Sequence, residues 1–329
     1  VQSLIKLGYA YKIKDGYYFD LSKFPEYGKL SGRTTLEAED AISRIDENKD
    51  KRNKGDFCLW KFSKEGEPYW NSPLEKGRPG WHVEDTAITE KYLGQQYDIH
   101  GGARDLIFPH HEAEIAQMES ISGKKPLVKY WLHTGFLNVK NQKMSKSLGN
   151  FITIRDALKK YSPEILRMFF ISTHYRNPIN FEEKNLKQAK ANLDKIKNFL
   201  INIENSNGKK DISSLIKKLK RDFIKFMDDD FNTPKTLASI FTFINKVNKL
   251  NINKKSTEKI KELFLEFNKV FDILTLKQEI PKEIIKLANE REKARVKKDF
   301  SKADKIRQEI KAKGYLIEDT SSGYIIKKL

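Results

Sequence analysis

The rhythm of apolar and polar positions changes twice along the chain. Up to residue 55, tyrosine-rich pieces, Tyr9-Ala-Tyr11 and Tyr17-Tyr-Phe19, flank the turn sequence Lys14-Asp-Gly16 and predict a hairpin. The polar run Asp46 to Lys54 closes that stretch. Between residues 56 and 150, Trp81 to Leu93 and Leu106 to Ser120 read as helices, with Tyr97-Asp-Ile-His100 and Tyr130 to Val139 as strands. Strands alternating with helices predict a parallel α/β sheet, and such sheets bind ligands beyond the carboxyl ends of their strands. From residue 151 the helical period takes over. Asn185 to Ile203, Ile212 to Met227, Thr236 to Leu250 and Thr257 to Leu274 carry apolar residues three and four apart, the pattern of a helical bundle. Beyond Pro281, Lys282 to Lys313 is a charged amphipathic helical stretch. Gly314-Tyr-Leu-Ile and Gly323-Tyr-Ile-Ile predict a closing hairpin. The expected fold class is therefore α/β followed by all-α, with a small C-terminal α+β piece and no internal repeat.

The chain has 329 residues, 38% of them hydrophobic, enough for two or three domains at the usual size of roughly 100–200 residues each. No run approaches the ~18 apolar residues of a spanning helix, so no membrane partner is expected. Cys58 is the sole cysteine, which excludes an intrachain disulfide and a multi-cysteine zinc site built from this sequence, and fits a reducing cytoplasm. It sits in the apolar run Phe57-Cys-Leu-Trp60 and reads as a small buried hydrophobe. The first residues, Val1-Gln-Ser-Leu-Ile-Lys-Leu-Gly, lack the pattern of a targeting segment and begin without Met, as expected of part of a longer protein.

Net charge is +18, which points towards a polyanion such as nucleic acid, although 51 Lys against 12 Arg is also the bias of an A/T-rich coding sequence. Residues 201–329 hold 30 basic and 19 acidic residues, a denser excess than in the first 200. An RNA surface in that half and an ordinary solvated helix face both satisfy the count.

The chemistry concentrates between residues 56 and 150, where Gly, Pro, Trp and His cluster. Gly101-Gly-Ala-Arg-Asp105 follows a predicted strand directly; glycines admit a nucleoside close to the backbone and a carboxylate accepts from ribose hydroxyls. Lys143-Met-Ser-Lys-Ser147 lies in a polar stretch from Asn141 to Asn150, and two lysines three apart on such a loop can neutralise charge developing on a triphosphate. A generic surface loop is the plain alternative for that pentapeptide taken alone. For Trp81 it is core packing, and for His100 and His133 structural histidines.

Taken together, Gly77-Arg-Pro-Gly-Trp-His-Val-Glu84, Tyr97-Asp-Ile-His-Gly-Gly102, Asp105-Leu-Ile-Phe-Pro-His-His-Glu112, Trp131-Leu-His-Thr-Gly-Phe136, Lys143-Met-Ser-Lys-Ser-Leu-Gly-Asn150 and His174-Tyr-Arg-Asn-Pro-Ile-Asn180 stand in the order and approximate spacing of a cysteinyl-tRNA synthetase, a class I aminoacyl-tRNA synthetase. The chain resembles that family from its first residue to a tail, Arg291 to Asp319, that looks like the family's last domain. The resemblance implies an ATP- and Mg2+-dependent ligase that attaches L-cysteine to tRNA(Cys). Gly101, Gly102, Asp105 and Lys146 would bind ATP, Lys143 and Lys146 would act in catalysis, and Trp81 and His82 would line the amino-acid pocket. It implies a cytoplasmic protein, acting as a monomer. None of the six histidines belongs to a His-x-Gly-His motif, so the similarity is expected to begin after the first half of the catalytic domain.

The family also uses a zinc ion held by two Cys, a His and a Glu. His110 and Glu114 match the last two, and their spacing places them on one face of a helix. Asp85 stands at the second cysteine position, and the other would precede residue 1. This leaves Asp85, His110 and Glu114 around a zinc ion with a harder ligand set, or a pocket that recognises the thiol by shape and polar contacts.

By the same resemblance, residues 1–55 are a connective segment and 56–150 the second half of the nucleotide-binding domain. Residues 151–200 are linker helices at the tRNA stem, 201–276 the helical bundle and 277–329 a small anticodon-binding domain. Two rivals share parts of this pattern. A ligase passing activated cysteine to a small-molecule amine would have little use for the basic tail, and an inactive tRNA-binding paralogue would have no use for an intact Lys143–Ser147 loop.

Overall fold

The computed structural model describes residues 1–33, 48–145, 147–204, 206–274, 281–320 and 323–328. The start of the polar run at Asp46, Lys146, and the boundary expected near residue 276 lie outside the described residues. The chain divides into two compact units, Val1–Leu263 and Phe264–Leu329.

The first unit opens with helix α1 (Gln2–Lys6) and an antiparallel sheet of β1 (Ala10–Ile13), β2 (Gly16–Phe19), β3 (Phe57–Phe62) and β4 (Gly77–Pro79), in that order. The expected hairpin forms with Ala10 opposite Phe19 and Ile13 opposite Gly16. Gly16 is required there, because a Cβ would sit 2.2 Å from the Trp60 carbonyl oxygen. Helix α2 (Trp81–Leu93) leads into β5 (Tyr97–Ala103), and helix α3 (Glu112–Ser122) returns to β6 (Val128–Thr134), which pairs with β5 in parallel.

One apolar cluster joins these pieces. Leu4, Phe19, Leu21, Phe24, Tyr27, Phe57 and Leu59 pack with Ala113, Ile115, Ala116 and Met118 of α3 and with Tyr97 and Val128 of the parallel pair. Cys58, between buried Phe57 and Leu59, is half-buried rather than buried. Helix α3 is buried from Glu112 to Glu119, so its polar residues need partners, and the loops provide them. Glu112 accepts from the amides of Gly28 (3.1 Å) and Ser31 (2.6 Å), and Glu119 from the amide of Leu127 (3.0 Å) and from Lys29.

Two expected elements are shorter than the apolar pattern implied. The helix expected from Leu106 begins at Glu112, because Phe108 before Pro109 takes extended angles (φ −131°, ψ 131°) as residues preceding proline do, and residues 107–111 form an irregular wide turn. The strand expected over Tyr130 to Val139 breaks at Gly135, whose missing Cβ lets the Asn177 backbone approach; the chain resumes as β7 (Leu137–Val139) and β8 (Gln142–Lys143). Strand β7 pairs antiparallel with β8 and in parallel with β9 (Ile179–Asn180), which follows α4 (Ile154–Lys160) and α5 (Pro163–Ile171).

The predicted helical period appears in α6 (Glu183–Glu204), α7 (Ser213–Asp228), α8 (Thr233–Val247) and α9 (Lys254–Phe271). In α6 the buried positions Leu186, Ala189, Leu193, Ile196, Phe199 and Ile203 trace a single stripe.

In the second unit, the charged stretch from Lys282 is two helices, α10 (Lys282–Val296) and α11 (Phe300–Ala312). They break at Lys298 (φ +58°) and restart on Asp299, which caps the amide of Lys302 at 3.1 Å. Strands β10 (Tyr315–Thr320) and β11 (Gly323–Lys328) form the expected hairpin, and Ile284, Ala288, Ile306, Ile310 and Ile317 make the core. Arg291, 3% exposed, forks onto Asp319 with contacts of 2.7 and 2.9 Å, and Arg295 pairs with the same carboxylate. The Arg291 guanidinium pulls the Asp319 carboxyl down to about 2. A depressed carboxyl stabilises the folded state above its unfolded value and loses that contribution as pH falls. The hairpin unit should therefore weaken between pH 4 and pH 2, with a smaller loss over that window in Asp319→Asn. Acid titration followed by circular dichroism on both proteins checks this.

Candidate active site

The site forms at the carboxyl ends of β5 and β6, where parallel sheets present their loops. Gly101 and Gly102 pair in register with Leu132 and His133. A Cβ on Gly101 would meet nothing closer than the Leu132 oxygen at 3.7 Å, which leaves the surface beside it open. At Gly102 it would press on the His111 ring at 2.8 Å, so glycine is needed for the histidine to pack. A cleft beside the two glycines is lined by Leu132, Thr134, Tyr175 and Phe231. Tyr175 is held there by a 2.6 Å hydrogen bond from its hydroxyl to Asp230, which also pairs with Arg176.

The lysine-bearing loop reaches the same place. Lys143 donates to Asp105 at 2.7 Å and lies over the Phe136 ring at 4.3 Å, joining residues 38 positions apart. Hydrogen bonding to Lys143 holds the Asp105 carboxyl below its ordinary value. The loop is braced by Asn150, which accepts from the Ser145 amide at 2.8 Å and donates to the Lys143 carbonyl at 3.2 Å. Asp105 and Lys143 are thus brought together beside Gly101 and Gly102; Lys146 lies outside the described residues.

Five of the six histidines gather around Trp131 and α3. Tyr97 Oη lies 2.7 Å from His100 Nδ1, His111 Nδ1 lies 2.8 Å from His133 Nε2, and His110 Nδ1 lies 3.1 Å from His82 Nδ1. The Trp131 ring lies 4.8 Å from that of His100 and 4.9 Å from that of His111. Burial lowers all five, His82 and His111 to about 3, so near neutral pH each is an uncharged imidazole with one lone pair. Burial, with Asp85 repulsion added, pushes Glu114 up to about 8. Trp81 is 62% exposed, with its ring centre 3.9 Å from that of His110, and is a surface wall rather than core.

Asp85 lies close enough to His110 and to Glu114 for its charge to act on both, so the three stand at one corner of the site. Glu114 stands on α3 and His110 on the wide turn that leads into it, where Phe108 alone departs from helical angles; the His110 ring contacts His82 and Trp81. Among the described residues, the side chains whose ligand atoms lie within 4.8 Å of one another are His100, His111 and Glu114. The sequence by itself assigns no role to His100 or to His111. The Pro109-His-His111 pair was the available signal, and only the fold tells which histidine faces the glutamate.

A Gly-Gly pair at the end of a parallel strand, with a lysine loop against the acid that follows it, is the arrangement expected of the class I synthetase type. The family model described as "tRNA synthetases class I (C) catalytic domain" matches residues 1–191, and the DALR domain matches residues 222–278. Two relatives named cysteine–tRNA ligase, from Methanococcus maripaludis and Thermococcus onnurineus, are 45% and 43% identical over all of this chain, and the chain covers 74% and 73% of their lengths. The chain belongs to the cysteinyl-tRNA synthetase family. Among solved structures, the ternary complex of Agrobacterium radiobacter K84 LeuRS with tRNA and LeuAMS aligns at 13% identity and a TM-score of 0.45, over 59% of this chain and 31% of that one.

Proposed function

We propose that the protein attaches L-cysteine to tRNA(Cys) in two steps, with ATP and Mg2+. The cysteine carboxylate attacks the α-phosphorus of ATP and pyrophosphate leaves. A ribose hydroxyl at the end of the tRNA then attacks the acyl carbon and AMP leaves. The 2.7 Å contact between Lys143 and Asp105 carries this reading, because it joins a lysine suited to phosphates to a carboxylate suited to ribose, just after the Gly101–Gly102 pair. Both side chains are half exposed, so phosphates can take the Lys143 ammonium from Asp105 and free the carboxylate for the ribose hydroxyls. Lys143 and Lys146 then offset the charge that develops on the leaving pyrophosphate. Gly101 and Gly102 admit the adenosine, and Trp81 with His82 walls the amino-acid pocket. Cysteine-dependent ATP–pyrophosphate exchange by the intact protein tests the first step: exchange that is driven by cysteine supports the reading, and its absence with intact, folded protein removes it.

The basic tail would contact the tRNA backbone. Of its cations, Lys293, Lys297 and Lys298 are exposed, whereas Arg295 is engaged with Asp319. Changing the three lysines to Gln together should weaken tRNA binding and reduce the slope of log affinity against log salt by up to about 3, with cysteine activation unchanged. Filter binding at several salt concentrations reads both quantities. An unchanged slope would make the tail a solvated face.

A further inference from the structure

The turn between α7 and α8 runs against the backbone preferences of its residues. Asp230 and Phe231 are consecutive non-glycine residues in the left-handed region, at φ +54° and +53°. Asp enters this region readily, but a bulky aromatic residue does so at a cost in free energy that its surroundings must offset. Two backbone hydrogen bonds close the turn, from the Phe231 amide to the Met227 carbonyl at 3.0 Å and from the Asn232 amide to the Phe226 carbonyl at 2.9 Å. Glycine at residue 231 would make the same bonds without that cost. Nor does the ring serve the core, since Phe231 is 51% exposed.

The ring instead lines the cleft beside Gly101 and Gly102, together with Leu132, Thr134 and Tyr175. At about 480 Å3 the cleft is of a size that takes small ligands. Asp230 fixes the turn in this place. Its two carboxylate oxygens accept from the Tyr175 hydroxyl at 2.6 Å and from Arg176 Nε, and His174 Nε2 lies 3.9 Å away. The Tyr175 carbonyl in turn accepts from the Gly135 amide at 2.7 Å, one residue beyond the end of β6. A chain of contacts thus joins the helical bundle to the end of the parallel pair that carries the glycines. Two aromatic side chains border a cleft lined in part by glycine backbone, and a flat heteroaromatic ring gains by stacking on such walls. From these observations we propose that Phe231, supplied by the helical bundle, is a wall for the adenine ring of ATP, and that Asp230 is its positioning residue, acting through Tyr175 and Arg176. This rests on the reading that Gly101 and Gly102 admit the adenosine. The strain at residue 231 is then kept for binding rather than for stability.

Phe231→Gly in the intact protein tests this, because it keeps the left-handed backbone and removes the ring. ATP affinity, measured by isothermal titration calorimetry, should fall about tenfold, within the range that loss of one aromatic–base stack costs. Affinity for inorganic pyrophosphate, which carries no base, should stay within about twofold. Urea unfolding should place the variant's midpoint close to that of the parent, since relief of strain offsets the added freedom of the unfolded chain. Asp230→Asn keeps an acceptor for Tyr175 but loses the charge that pairs with Arg176, and should weaken ATP binding by a smaller factor. An unchanged ATP affinity in Phe231→Gly overturns the assignment. Equal losses for ATP and pyrophosphate overturn it too, because they show a general disturbance of the site. ATP binding needs no turnover, so these outcomes are read apart from the cysteine-dependent exchange that tests the reaction.

Discussion

Replacing Lys146 with alanine should slow cysteine-dependent ATP–pyrophosphate exchange about a hundredfold, the loss seen when one preorganised charge contact to a transition state is removed, or about 2.7 kcal/mol of barrier. The expectation rests on the neighbourhood. Lys143, three residues earlier, reaches Asp105 just after the Gly-Gly pair, and Asn150 fastens Ser145 and the Lys143 carbonyl, so the stretch leading up to residue 146 is braced beside Asp105. Pyrophosphate gains charge as it leaves, and a lysine that meets that charge mainly in the transition state changes kcat more than the KM for cysteine. Steady-state exchange at varied cysteine gives the split. A kcat within threefold of the parent would remove Lys146 from the chemistry.

Phe19→Ala should cost about 3–5 kcal/mol of folding stability, a large share of the roughly 5–15 kcal/mol a domain has. Phe19 is fully buried, stacked on Phe57 at 5.0 Å and within 6° of parallel, with Tyr9 also stacked on it at 6.0 Å. The cluster it anchors includes Ala113, Ile115 and Ala116 of α3, so the N-terminal sheet supports the helix that carries Glu112 and Glu114. Urea unfolding of parent and variant measures the difference. A loss below about 1 kcal/mol would mean that this ring is not part of the packing that holds α3.

Where one face of an element is apolar, the sequence pattern was enough to find it. The stripe from Leu186 to Ile203 in α6 and the hairpin around Gly16 are such cases, since burial on one side leaves a period of three to four or of two. Helix α3 escapes that logic. It is buried all round, and its polar side chains Glu112 and Glu119 are satisfied by amides of Gly28, Ser31 and Leu127, partners that no local period can show. The break at Gly135 depends on how closely the Asn177 backbone passes, and the break at Lys298 on a single left-handed residue capped by Asp299. At the site, the lysine loop and the Gly-Gly turn were each legible as motifs, whereas the Lys143–Asp105 contact exists only after folding. The resemblance selected His110 and Glu114 together, and their four-residue spacing runs from the wide turn into α3. The approach of His100 and His111 to Glu114, within 4.8 Å, exists only after folding.

The most direct measurement is charging of tRNA(Cys) by the intact protein with labelled cysteine, run beside labelled serine under the same ATP and Mg2+. The account predicts acyl-tRNA formed with cysteine, dependent on ATP, and a far lower yield with serine. Equal charging by the two amino acids, or none with cysteine by folded protein, would contradict it.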